Sequence, residues 1–208
     1  SSIVATMISS RAFHPRAALG VTALAEFVGP FLFGTGVAKT IGGDIVQSEV
    51  LTLQVLISCL LGALLWSLIT WVLSIPSSSS HALAGGLVGS VAISAGLGAI
   101  KFGGLYKVLL ALFVLPLVGF LVGFIVLRLI YALAHSASPA INDFFKSGQL
   151  ITAVALAVSH GTNDAQKTMG VVTLGLIIGR QIDQFSVPIW TIFASAAVMS
   201  LGTLFGGW

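Results

Sequence analysis

Three places in the chain set ion-holding side chains among apolar neighbours. The first is Pro76-Ser77-Ser78-Ser79-Ser80-His81, which opens directly onto a run rich in Gly and Ala. Proline ends what precedes it and serine is a favoured N-cap. The spacing therefore predicts a helix whose first amides and positive dipole end stand beside four hydroxyls. Such an end holds an anion without needing a fixed cation. The plainer alternative is a Ser-rich aqueous loop with His81 at an interface. The glycines Gly85, Gly86, Gly89, Gly96 and Gly98 weigh against it, because they let a backbone or a ligand come close.

The second place is Ser159-His160-Gly161-Thr162-Asn163-Asp164-Ala165-Gln166-Lys167-Thr168. Gly161 can end one half-helix and Asn163 can cap another, with Gln166 three residues on as in a capping box. Asp164 then falls in a first turn, where the dipole stabilises a carboxylate, and Lys167 lies on the same face. A plain loop with both charges solvated is the alternative, but residues 150–160 and 165–179 are each too short to cross a bilayer. A broken helix with polar side chains at mid-membrane depth is the pattern of a transporter site. The third place is Glu26, alone in an apolar span. An intramembrane carboxylate is functional by default unless a buried partner such as Arg128 neutralises it. Arg128 is close enough to a helix end to snorkel instead. His14 and His135 sit in loops and support nothing specific.

The composition says what must position these groups. Of 208 residues, 57% are hydrophobic and only 7% charged, with mean hydropathy +1.09. A soluble domain carries about 25% charged residues, so the chain is an integral membrane protein. Nine Lys/Arg against six Asp/Glu are too sparse for a nucleic-acid patch. The single Cys59 excludes a disulfide framework and a thiolate metal site. Residues 17–38, 50–73, 82–100, 108–134, 150–179 and 184–208 are the candidate spans, and none shows the alternation of a membrane β-barrel. Tyr106, Tyr131 and Trp71 suit the interface. The run Ile3–Ile8 is too short to span alone. The opening Ser1, without a signal-peptide pattern, and the close on Trp208 in an apolar stretch lead us to expect an internal part of a longer protein. The Lys/Arg distribution mildly favours a hairpin that dips in and returns over 82–100.

Read together, the Ser159–Gly170 and Pro76–Ala82 segments resemble the inorganic phosphate transporter (PiT) family, supported by Glu26-Phe27 and by Ser9-Ser10-Arg11-Ala12. The resemblance covers essentially the whole chain. It implies an all-α membrane protein, a polytopic transmembrane helix bundle with broken or re-entrant helices, forming part of an inverted-repeat transporter fold. Residues 1–148 would be the first repeat and 149–208 the start of the second. The family pattern places a further Asn-Asp copy before Ser1 and a further Ser-rich copy after Trp208. It also requires 82–100 or its surroundings to cross, and this outweighs a two-residue charge bias.

The function so implied is secondary active transport of inorganic phosphate, coupled to sodium or a proton, at the cell membrane. Ser78, Ser79 and Ser80 with Gln166 and Thr168 would donate hydrogen bonds to phosphate, and Lys167 would add a mobile positive charge. Asn163 and Asp164 resemble the family's cation site, whose hard oxygens suit sodium, and Glu26 its essential carboxylate. Apart from the coupling ion no cofactor is expected. The expected partners are phosphate, the coupling ion and membrane lipid, with a homodimer left open. Two alternatives stand beside this one: a passive anion channel, and an intramembrane hydrolase built on Ser80, His160 and Asp164. The serine run lacks nucleophile-elbow spacing, so the hydrolase ranks last.

Overall fold

The computed structural model describes residues 2–9, 13–40, 44–75, 77–135, 138 and 141–206. Ser1, Ser10, Arg11, Ala12, Pro76 and Trp208, which entered the expectations above, lie outside the described residues. Eight α-helices appear among the described residues: α1 (Ser2–Ser9), α2 (Pro15–Leu32), α3 (Gly36–Lys39), α4 (Leu53–Val72), α5 (Ser79–Ala95), α6 (Phe102–Ala134), α7 (Ile141–Ile178) and α8 (Ile189–Gly206). The extended backbone among them includes one isolated bridge, Val46 to Ile100. The fold is all-α, and α4, α6 and α8 are long and apolar enough to cross a membrane.

The chain forms two compact units, each made of separated stretches. The first comprises Ser1–Leu32, Lys107–Thr162 and Ala196–Trp208. Its core joins Ile3, Val4 and Met7 of α1 to Ala18, Leu19 and Ala25 of α2 and Ala157 of α7. Two glycines set how closely α2 meets α7. A Cβ on Gly161 would collide with the Glu26 backbone, and one on Gly29 with the Val158 carbonyl. Only hydrogen fits at either place.

That contact explains a departure from expectation. The interruption expected at residues 159–164 is absent, and α7 runs unbroken for 38 residues. Gly161 serves close packing rather than termination, no proline comes after it in the helix, and the Thr162 hydroxyl back-bonds to the Val158 carbonyl at 2.7 Å. Asn163 therefore caps nothing, and the dipole stabilisation expected for Asp164 has no helix start to supply it.

The second unit comprises Phe33–Tyr106 and Asn163–Ser195. Here α4 and α5 pack side by side, with Gly86 against the Cys59 carbonyl and the Cys59 thiol 3.6 Å from the Leu83 carbonyl. The Thr52 hydroxyl caps α4, accepting from the Val55 amide at 3.3 Å. Beyond α5, the Gln47 amide donates to the Ala99 carbonyl at 3.0 Å and the Lys101 amide to the Ile45 carbonyl at 2.9 Å. No turn interrupts α5, so residues 82–95 do not double back on themselves as the charge distribution suggested. The span expected over 17–38 also ends early, at Leu32. Gly34 and Gly36 loosen the chain there, and the Gln166 side chain of α7 holds residues 34–37 in place.

Candidate functional site

In the second unit, α5 begins at Ser79 with Ser78 as its N-cap residue. Among the described residues the Ser78 hydroxyl makes no capping bond, and the first amide bonded back along the helix is that of Ala82, to the Ser78 carbonyl at 3.0 Å. The amides of Ser79, Ser80 and His81 precede it, at the positive end of a 17-residue helix. Lys167 reaches this end from α7. Its ammonium donates to the Ser79 hydroxyl at 3.3 Å and forms a close ion pair with Asp164, one helical turn back. The Lys167 side chain is 10% exposed and that of Asp164 27%. A cation this covered needs a compensating anion, and Asp164 supplies it.

Gln166, on the same turn of α7, bonds to residues at and just before the start of α3. Its amide nitrogen donates to the Gly34 carbonyl and its amide oxygen accepts from the Val37 amide at 2.8 Å. Gly170 lies one turn further, against the Ala38 backbone, beside the cluster of Ala38, Ala165 and Met169. Gln166 thus ties the 33–38 segment to α7 through one amide hydrogen and its oxygen.

A separate polar cluster belongs to the first unit. Glu26 is completely buried in α2. The Nδ1 of His160 stands 3.1 Å from its Oε1, and the Thr203 hydroxyl of α8 donates to its Oε2. Both carboxylate oxygens are engaged, which is the condition for tolerating such a group away from water.

Comparisons with known proteins identify the family. The model of the phosphate transporter family matches residues 1–141 and 132–208, so together they cover the whole chain. The chain belongs to this family. A probable low-affinity inorganic phosphate transporter of Bacillus subtilis is 40% identical over 212 residues, covering 100% of this chain and 63% of the relative. Proteins of the same description from Rhizobium meliloti (38% identity, 99% and 62% covered) and Mycobacterium tuberculosis (41%, 99% and 50%) are similarly close. The chain therefore spans one half to two thirds of these relatives. A solved structure, "The sodium-dependent phosphate transporter", superposes with a TM-score of 0.82 at 20% identity, over 97% of this chain and 69% of that one. That match concerns the fold.

Within this phosphate transporter family chain, the expected residues divide clearly. Ser79, Asp164 and Lys167 come together, with Ser78 exposed and Ser80 half-buried beside them at the start of α5. Asn163 and Thr168 are exposed on α7. Glu26 is paired, though not with Arg128, whose guanidinium lies over the Phe124 ring, 5.3 Å from its centroid. The two partners that sequence reasoning missed are His160 and Thr203. His160 entered only as a hydrolase base. A signal was present, because a lone membrane carboxylate requires a partner and few polar residues are available in this chain.

Proposed function

We propose that the full-length protein is a secondary active transporter of inorganic phosphate in the cell membrane, coupled to sodium or a proton. One observation carries the proposal: the covered Lys167 ammonium spans Asp164 and the Ser79 hydroxyl at the start of α5. Phosphate would sit at that helix end, taking hydrogen bonds from Ser78, Ser79, Ser80 and the first amides of α5, with Gln166 and Thr168 of α7 as further donors. Lys167 would turn from Asp164 towards the anion. Asp164, with Asn163 beside it, would then be a carboxylate without its cation, and a sodium ion or proton would take that place. Binding of the anion in this way creates the demand for the coupling ion, and the ion lowers the cost of holding a divalent anion at low dielectric. The names of the relatives support phosphate as substrate, and the sodium dependence in the structural neighbour's name supports sodium. Glu26, with His160 and Thr203, would serve as a second, ion-linked element. In this reading residues 1–148 are the first repeat and 149–208 the start of the second.

Radiolabelled phosphate uptake by the full-length protein in proteoliposomes tests the proposal. Uptake should depend on an ion gradient and fall at least about tenfold in Asp164→Ala and in Ser79→Ala, the loss expected when a charge-assisted contact is removed. Unchanged uptake in both variants would contradict it, and gradient-independent uptake would point to the channel alternative. For the hydrolase alternative, a serine-directed fluorophosphonate should leave the protein unlabelled.

A further inference from the structure

Helix α3 is capped by a side chain far away in the sequence. The first amide bonded back along α3 is that of Lys39, to the Thr35 carbonyl at 3.1 Å. The Gly34 carbonyl and the Val37 amide fall at the interruption between α2 and α3. A continuous helix would pair them with the Ala38 amide and the Phe33 carbonyl. Thr35, at the N-cap position, makes no side-chain capping bond. Gln166 supplies both partners instead. Its oxygen accepts from the Val37 amide at 2.8 Å and its nitrogen donates to the Gly34 carbonyl. One partner needs an acceptor and the other a donor, so the amide cannot be turned over.

The apolar hold on this stretch is light. Phe33 and Val37 are 55% and 38% exposed. Of residues 33–38 only Ala38 is buried, against Ala165, Met169 and the Gly170 backbone of α7. Among the described residues, the Gln166 amide is therefore the main polar tie on residues 33–37. Gln166 itself is 5% exposed, and among the described residues one of its two amide hydrogens has no acceptor. A buried donor with a spare hydrogen is incomplete until something accepts from it. Its chain neighbour is Lys167 and Asp164 lies two residues back. The amide thus stands within one turn of the groups that reach the start of α5.

We propose that Gln166 is a positioning residue that couples anion occupancy at the start of α5 to the order of the α2–α3 interruption. This rests on the reading above that phosphate binds there. A phosphate oxygen accepts the spare amide hydrogen, so that the oxygen and both hydrogens of Gln166 are engaged. The amide then holds Gly34 and Val37 more firmly, because hydrogen bonds through one amide polarise each other. The link is reciprocal: whatever loosens residues 33–37 weakens phosphate binding by the same factor.

Hydrogen–deuterium exchange of the purified full-length protein, with and without saturating inorganic phosphate, tests the link alongside equilibrium phosphate binding. Phosphate should slow exchange over 33–38 at least about fivefold, the lower end of ordinary coupling between sites, and leave α6 unchanged. In Gln166→Leu the segment should exchange at least about fivefold faster, as expected when a buried hydrogen bond is lost. Phosphate should no longer slow it there. Gln166→Glu keeps an oxygen for the Val37 amide but has no amide hydrogen for Gly34 or phosphate. It should protect the segment in part and abolish the response to phosphate. Bound phosphate with unchanged exchange over 33–38 would overturn the link and leave the transport reading standing, whereas absence of phosphate binding would overturn both. Equal slowing in α6, or a full phosphate response in Gln166→Leu, would also overturn the link.

Discussion

The two polar clusters of this chain handle the same problem, a carboxylate in an apolar protein, in opposite ways. Glu26 is sealed in: it is completely buried, and His160 and Thr203 occupy its two oxygens. Asp164 is left partly open, and its partner Lys167 is also bonded to Ser79, whose hydroxyl stands at a helix start. The first arrangement satisfies its own members and holds α2, α7 and α8 together. The second has capacity left over, because a lysine with three donors between a carboxylate and a helix N-terminus can exchange one anion for another. Satisfied clusters contribute stability, and clusters with spare donors and a removable partner are where a solute can act.

Substitutions can break this contrast, and the largest effect belongs to the sealed cluster. Glu26→Ala leaves a cavity beside an unpaired Thr203 hydroxyl and should cost about 2–4 kcal/mol. It is read as a large drop of the thermal unfolding midpoint in detergent. Gly161→Ala pushes a methyl into the Glu26 backbone and should cost about 1–3 kcal/mol by the same measurement. A normal midpoint would show that α2 and α7 are not held in close register. In the second unit, Gln166→Leu strands the Gly34 carbonyl and the Val37 amide and should cost about 1–3 kcal/mol. The smallest effect has the opposite sign. Among the described residues, the hydroxyls of Thr173 and Thr191 are buried without a hydrogen-bond partner. Thr173→Val should therefore leave the midpoint unchanged or raise it by up to about 1 kcal/mol, since removing an unpaired buried group relieves its desolvation.

Much of this was legible in the residues. The near absence of charge forces helices in lipid, and the spans emerge from 20-residue apolar runs, as at α4 and α6. The Ser79–Lys167 meeting was legible in outline, because a serine-rich helix start and a lone lysine have complementary needs. The continuity of α7 was not. Glycine ends helices in water but also admits a neighbouring backbone, and sequence alone does not reveal that Gly161 faces Glu26. Nor does sequence alone reveal that the Gln166 amide faces Gly34 and Val37, 132 and 129 positions away, because that depends on long-range packing. The pairing of Glu26 with His160 and Thr203 likewise spans 134 and 177 positions.

The central claim is that phosphate and its coupling ion bind by dividing the Asp164–Lys167 ion pair between them. Equilibrium binding of labelled phosphate to the purified full-length protein, with and without sodium and at two pH values, tests this most directly. Unsubstituted protein should bind phosphate at least about fivefold more tightly when the coupling cation is present, the lower end of ordinary coupling between sites. In Lys167→Gln, phosphate binding should weaken and the cation dependence should vanish. An undiminished cation dependence in that variant would contradict the account.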